Sequence, residues 1–255
     1  MIQNLNKLKI RILTLNIHKG FSFGNRKYTL EKMKSQLKAS KADIVFLQEV
    51  VGAHSVFAKT SQIEFLSHEL WKHHAYGKNA IYTEGHHGNA ILSHFPILSQ
   101  ENFNISNHRY EQRGILHGTL DCFGNGINRL HVMTLHLDLT SWGRRKQLKK
   151  LVRLVEHRVI AGEPLIICGD FNDWNEEASL FLKEKLGLKE IYTEVHGAAA
   201  RTYPAAFPIL KLDRIYVKDL EIDSVERMNQ RPWSDLSDHL PLAAVLKIPG
   251  ILGKG

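Results

Sequence analysis

At 255 residues the chain is long enough for one large core or two small ones, and 43% hydrophobic with 24% charged residues is ordinary for a globular protein. No stretch approaches the roughly 18 consecutive apolar residues of a membrane span, and the opening "MIQNLNKLKIRILTLNIHKG" has no apolar signal-peptide core, so a cytoplasmic location is expected. The 34 Lys and Arg outnumber 26 Asp and Glu for a net charge of +8, which favours a polyanionic partner: nucleic acid, an anionic lipid surface or a phosphorylated small molecule. Only Cys122 and Cys168 occur, which excludes a disulfide framework and a cysteine-built zinc site.

Alternation in "KIRILTLNI" (9–17) predicts a first strand, followed by the amphipathic helix "TLEKMKSQLKAS" (29–40). "DIVFLQEV" (43–50) reads as the next strand and "SQIEFLSHEL" (61–70) as a second helix. Strands follow at "NAILSHF" (89–95), "RGILHGTLDCF" (113–123) and "LHVMTLHLDL" (130–139), the last two forming a hairpin around "FGNGIN". A basic helix, "RRKQLKKLVRLVEHRV" (144–159), precedes "PLIICGDFN" (164–172). "LDRIYV" (212–217) and "AAVLKI" (243–248) complete the strands, and "PGILGKG" reads as a loose tail. Strands outnumber helices without strict alternation, which argues against a Rossmann fold or a TIM barrel and for two packed sheets with helices outside. With no linker or repeat, one domain over 1–255 is expected, its core spanning about 9–247.

The strand ends carry the chemistry. Asn16 and His18 end the first strand, and Gln48 and Glu49 sit late in the second. His136 and Asp138 follow in "TLHLDL", and Asp170, Asn172 and Asp173 in "GDFND". Asp213 opens "LDRIYV", and Asp238 and His239 precede the final strand. Each alone also reads as a turn residue, a surface charge or a satisfied core histidine. Together they suggest a convergent site on a rigid sheet, suited to metal-assisted attack on phosphorus. Mg²⁺ is held by one or two carboxylates; Glu49 is the expected principal ligand, with Asn16 and Asp238 beside it. Asp170 would deprotonate a water, the Asn172 amide would donate to a developing oxyanion, and Asp213 would hold His239 protonated against phosphate.

In order, "TLNIHKG", "LQEV", "GNAILS", "RG", "HL", "GDFND", "LDRIYV" and "SDHLPL" resemble the endonuclease/exonuclease/phosphatase superfamily over about residues 9–247. More narrowly, "EGHHGNAILS" and "ARTYP" are similar to a small bacterial subgroup of unassigned substrate. The resemblance implies a DNase I-like four-layer α/β sandwich with its site at one end of two facing, mostly antiparallel sheets. It implies a metal-dependent phosphoesterase using Mg²⁺, or Mn²⁺ in its place. Asn16 and Glu49 match metal-site positions, Arg113 a phosphate-facing basic residue of some members, and His136 a histidine at the scissile phosphate. Asp170, Asn172, Asp213, Asp238 and His239 match the water-activating, oxyanion and histidine-orienting set, with either Asp170 or His239 as general base. Arg144 and Gln147 fit the family's HL…R-x-x-Q pattern, although Arg144 also reads as a solvated helix start. Arg214 stands where many members carry an aromatic, which implies an altered substrate wall, and the role of His18 is open.

The expected substrate is nucleic acid, the alternatives being a phospholipid or phosphoinositide and, with no catalysis, a nucleic-acid-binding module. Trp174, Tyr203 and Phe207 enter near the site from "DWN" and "RTYPAAFPILKLDR", and read either as substrate-stacking aromatics or as caps on the core under the loop. The pairs His73–His74 and His86–His87 lack the i,i+4 spacing of a helical zinc site.

Overall fold

The computed structural model describes residues 7–54, 61–108, 112–124 and 129–248. The expected tail at 249–255 and positions 125–128 of the expected hairpin turn lie outside them. Its elements run β1 (Leu8–Asn16), α1 (Leu30–Ser40), β2 (Ile44–His54), α2 (Gln62–Ser67), β3 (His73–Tyr82), β4 (Gly85–Ser93), β5 (Ile97–Asn104), β6 (Gly114–Asp121) and β7 (Arg129–His136). Then come α3 (Ser141–Arg158), β8 (Leu165–Asp170), α4 (Glu177–Leu186), β9 (Lys189–Glu190), α5 (Ile191–His196), β10 (Asp213–Lys218), β11 (Glu221–Arg227) and β12 (Leu242–Ile248).

Two six-stranded sheets form, in the orders β11-β12-β1-β2-β4-β3 and β5-β6-β7-β8-β10-β9. β1–β2 and β7–β8 pair in parallel, and the other described pairs are antiparallel. Side chains on a strand alternate between faces. Ile10 and Ile12, Ile44 and Phe46, Leu130 and Val132, and Ile166 and Cys168 therefore fill one core between the sheets. The opposite faces bury Leu13, Leu15, Val45 and Leu47 with Leu30, Met33 and Leu37 of α1, and Met133, Leu135, Leu165 and Ile167 with Leu148, Leu151 and Val155 of α3. The result is a four-layer sandwich, helix–sheet–sheet–helix. Among the described residues, no helix is long and apolar enough to cross a membrane.

The eight expected strands form, as do three expected helices. β3, β5, β9, β11, α4 and α5 were not expected. β5, "ILSQENFN", is an edge strand of mostly exposed polar residues, so it has no buried face to give an alternating signal. β9 has only two residues, too few for any period.

Candidate active site

Follow the inter-sheet face toward one end and its chemistry changes. Ile10 and Ile12 give way to Thr14 and then Asn16, and Leu130 and Val132 to Thr134 and then His136. Below the site, buried Gln48 donates through Nε2 to Thr134 Oγ1 at 2.9 Å and Thr14 Oγ1 at 3.3 Å, tying the two sheets together. Above this belt, strand register places Asp170 between two partners: His136 on one side in β7 and Asp213 on the other in β10. Parallel pairing sets the ends of β7 and β8 side by side, and antiparallel pairing brings the start of β10 to the same edge.

Asp170 is the centre of the cluster. Its Oδ1 accepts the Asn172 backbone N–H at 2.9 Å, and its Oδ2 accepts from Asn16 Nδ2 at 3.1 Å. The same Oδ2 lies 3.4 Å from His136 Nε2 and 3.7 Å from His239 Nε2. Burial raises the Asp170 pKa most, and Asp213 adds to it; the His239 charge and the hydrogen bonds from Asn172 and Asn16 pull the other way, for a value of about 6. His239 Nδ1 is 2.8 Å from Asp213 Oδ2. Burial lowers the His239 pKa, yet the carboxylates of Asp213, Asp170 and Asp238 outweigh it and raise the value to about 10. His136 is the opposite case. Burial, with Arg113, His239, His87 and Lys19 nearby, drives its pKa well below the usual imidazole range. One imidazole of the site is therefore a cation and the other neutral.

Glu49 reaches this end of the sheets by a local irregularity. Strict alternation would send residue 49 toward α1, but the β2–β4 register shifts between Leu47 and Val50, and Glu49 takes φ +56°. A bulge re-aims a side chain in this way, and a left-handed non-glycine backbone costs about 1–2 kcal/mol. Glu49 Oε1 then lies 3.3 Å from Asn16 Nδ2 and 3.9 Å from His136 Nδ1, with Lys19 Nζ 3.8 Å from Oε2. Burial raises its pKa, but Lys19, His87, Asn16 and His18 together leave it lowered, so the carboxylate is ionised. Asp238 Oδ2 lies 3.7 Å from His18 Nδ1, and Ser237 Oγ ties this loop to Asn16 O at 2.7 Å.

A hard divalent cation prefers carboxylate oxygens, and Glu49, ionised, partly exposed and near enough to Asp238 for its charge to act on that carboxyl, gives with it a donor set that fits one. Asp170, Asp213 and His239 also offer atoms within 4.8 Å of one another. That trio fits less well, because an imidazolium hydrogen-bonded to Asp213 has no lone pair for a metal. Asn16 Oδ1 takes the His18 backbone N–H at 3.0 Å, and its Nδ2 faces Glu49 and Asp170. As it stands, Asn16 orients the carboxylates.

The remaining expected residues separate. Arg113 and His136 line a small cavity of about 10 Å³ with Glu49, His87 and Asn89. Asn172 Nδ2 donates to Leu137 O at 3.0 Å. The Tyr203 ring packs on His239, centroids 5.0 Å apart, whereas Phe207 is exposed and caps no core. Arg144 is not a solvated helix start. It is buried, donates to Leu139 O at 2.7 Å and Ser141 Oγ at 3.2 Å, and carries the Trp174 ring at 4.7 Å. Arg214 builds no substrate wall either: fully buried, it donates to the carbonyls of Asp213 and Asp173, each at 3.1 Å. Sequence reasoning gave no role to His18, Lys19 or His87, which all face the Glu49 carboxylate. Lys19 adjoins the "NIH" strand end, and His87 shares a pair whose other member turns away to Tyr76, 3.0 Å from its hydroxyl.

Comparison with known proteins bears on the family and the fold. The endonuclease/exonuclease/phosphatase family model matches residues 13–239. The chain belongs to that family. The uncharacterized protein YbhP of Escherichia coli (strain K12) is 42% identical over 255 residues, covering 97% of this chain and 100% of its own length. An endonuclease/exonuclease/phosphatase from Beutenbergia cavernae superposes with a TM-score of 0.78 at 20% identity, over 94% of this chain and 72% of that one. TDP2 of D. rerio, complexed with a single-strand DNA product, gives 0.71 at 17%, over 93% and 98%. These two structural likenesses establish the DNase I-like fold. The family suggests phosphodiesterase or phosphatase hydrolysis, typically dependent on a divalent metal.

Proposed function

We propose that this protein hydrolyses a phosphoester by attack of water on phosphorus, assisted by Mg²⁺ with Mn²⁺ as a substitute, and that residues 9–247 form one catalytic domain. The observation that carries the reading is a single carboxylate, Asp170, set between a neutral imidazole, His136, and a charged one, His239, beside an ionised Glu49. Glu49, with Asp238 next to it, would hold the cation. When bound, it would polarise a phosphoryl oxygen and offset the charge developing there. Asp170, already oriented by N–H groups of Asn16 and Asn172, takes the proton of the attacking water. With His239 held protonated, Asp170 is the better base, and the imidazolium donates to a phosphate oxygen. One Asn172 amide N–H is engaged by Leu137, and its second can meet an equatorial oxygen. Arg113, which lines the same cavity as Glu49, adds positive charge there.

Net charge +8 favours nucleic acid as the substrate. A phospholipid or phosphoinositide is the second reading, favoured by exposed apolar side chains around the site. A non-catalytic binding module is disfavoured by the complete polar set. The test is the purified protein with Mg²⁺ against plasmid DNA, abasic duplex, single-stranded DNA, RNA, 5′-tyrosyl DNA, phosphoinositides and phospholipids, with and without EDTA. Metal-dependent turnover of any of them supports hydrolysis, and inertness toward all of them refutes it.

A further inference from the structure

Three loops surround the catalytic edge, and each presents large apolar side chains to solvent. Leu139 is 57% exposed, Trp142 62%, Trp174 41%, Phe207 74% and Ile209 53%. Two observations join them into one rim. Arg144 donates to Leu139 O and Ser141 Oγ while stacking on Trp174, which links the β7–α3 turn to the loop after β8. Lys211 then pairs with Glu176, which links that loop to the segment carrying Phe207 and Ile209. The rim borders the site: Trp174 is two residues from Asn172, and Tyr203 of the third loop packs on His239.

Glu176 and Glu177 are matched by Lys211 and Arg145, whereas Lys146 and Lys149 remain exposed on α3, Lys146 Nζ lying 3.5 Å from the Trp142 ring centre. The first turn of α3 holds no acidic residue but begins the run Arg144, Arg145, Lys146. A helix N-terminus already bears partial positive charge, so cations there oppose the stability of the helix. Arg144 and Arg145 are engaged by Leu139, Ser141 and Glu177, and Lys146 extends to solvent beside Trp142.

We infer that this rim docks the protein on an anionic phospholipid surface, with the catalytic edge facing the headgroups. Aromatic and aliphatic side chains beside lysines match an interfacial layer, where rings sit at headgroup depth and lysines meet acidic lipids. Leu139 and Ile209 separate this partner from single-stranded nucleic acid, because an aliphatic side chain has no π-face on which a base can stack. The inference leans on the hydrolytic reading only for what the site meets at that surface; docking is measurable without turnover.

The chain contains its own probe. Trp71 and Trp233 are buried, so a change in tryptophan emission on docking comes from Trp142 and Trp174. Vesicles of phosphatidylcholine mixed with phosphatidylglycerol should sediment the protein and shift its emission to the blue, and phosphatidylcholine alone should do so weakly. In Leu139→Ser/Ile209→Ser, which keeps both rim tryptophans, partition onto the mixed vesicles should fall by more than about tenfold. Its circular dichroism and melting temperature should match the parent. Lys146→Glu/Lys149→Glu should weaken binding and remove the preference for the anionic lipid. The inference is overturned if the mixed vesicles leave emission and sedimentation unchanged. It also fails if the Leu139→Ser/Ile209→Ser protein, still folded, binds them as tightly as the parent. Emission that responds to single-stranded DNA while vesicles have no effect would reassign the rim to nucleic acid.

Discussion

His239 presents Nδ1 to Asp213 Oδ2 at 2.8 Å and, from the other side of the ring, Nε2 to Asp170 Oδ2 at 3.7 Å. The Asp213 contact fixes which nitrogen faces the reacting edge, and its charge helps keep the ring a cation inside a buried site. Asp213→Asn is therefore expected to act through the imidazole, lowering kcat less than His239→Ala does. His239→Ala and Asp170→Asn should each lower kcat by roughly 10²-fold or more. In the double variant Asp213→Asn/His239→Ala, the loss should fall well short of the product of the single losses. A simple product would show that the two residues act independently.

The pKa directions set a pH profile. Asp170, raised to about 6, is protonated below that pH and can no longer accept a proton from water. His239, raised to about 10, loses its charge above that pH and no longer donates. Activity should fall as pH drops through about 6 and again as it rises through about 10, giving a bell with a plateau between. Replacing Asp213 with Asn removes a charge that holds His239 protonated, so the alkaline limb should move to lower pH while the acid limb does not rise. An alkaline limb that stays in place would contradict the pairing.

Glu49 is the expected seat of the cation. Turnover should require Mg²⁺ or Mn²⁺, and Glu49→Ala should weaken metal dependence and rate together. The same variant removes a charge from beside Lys19 and His136, so loss of rate alone would not identify the ligand. Calorimetric titration with Mn²⁺, which needs no substrate, should show weaker binding. Unchanged Mn²⁺ affinity, or full turnover by Glu49→Ala in EDTA, would move the metal elsewhere.

Most of this site was legible in the sequence because period-2 strands carry their own register. Once Ile166 and Cys168 face inward, Asp170 must as well, and the same holds for Asn16 after Ile10 and Ile12. Glu49 was legible as a residue type but not as a direction, since alternation alone points it away from the site. The bulge that turns it depends on pairing with β4, which no local pattern encodes. Lys19 and His87 escaped notice for a related reason: each contributes through its distance to Glu49 and His136, which lie on other strands. Gly169 shows the same dependence on pairing. It sits at φ +139°, and a Cβ there would lie 2.1 Å from Leu135 O of the neighbouring strand. Gly169→Ala should cost about 2–5 kcal/mol through strain and overpacking, seen as a melting temperature lower by roughly 5–15 °C. A variant melting within a degree or two of the parent would show that β7 and β8 can part without penalty.

Tyr203 and Phe207 were expected to behave alike, and the structure separates them. Tyr203 packs its ring on His239, so its effect reaches the proton-transfer geometry whatever the substrate. Phe207, four residues on, stands in solvent at the rim, 74% exposed. Tyr203→Ala should then lower kcat on a natural phosphoester and on the minimal substrate bis-p-nitrophenyl phosphate alike, with Tyr203→Phe restoring most of it because the ring contact survives. Phe207→Ala should act chiefly through KM, and more strongly on a large substrate than on the minimal one. The comparison is decided by the ratio of the two losses for each variant. Equal ratios for Tyr203→Ala and Phe207→Ala, with both melting lower than the parent, would mean that the two aromatics only hold their loop in place.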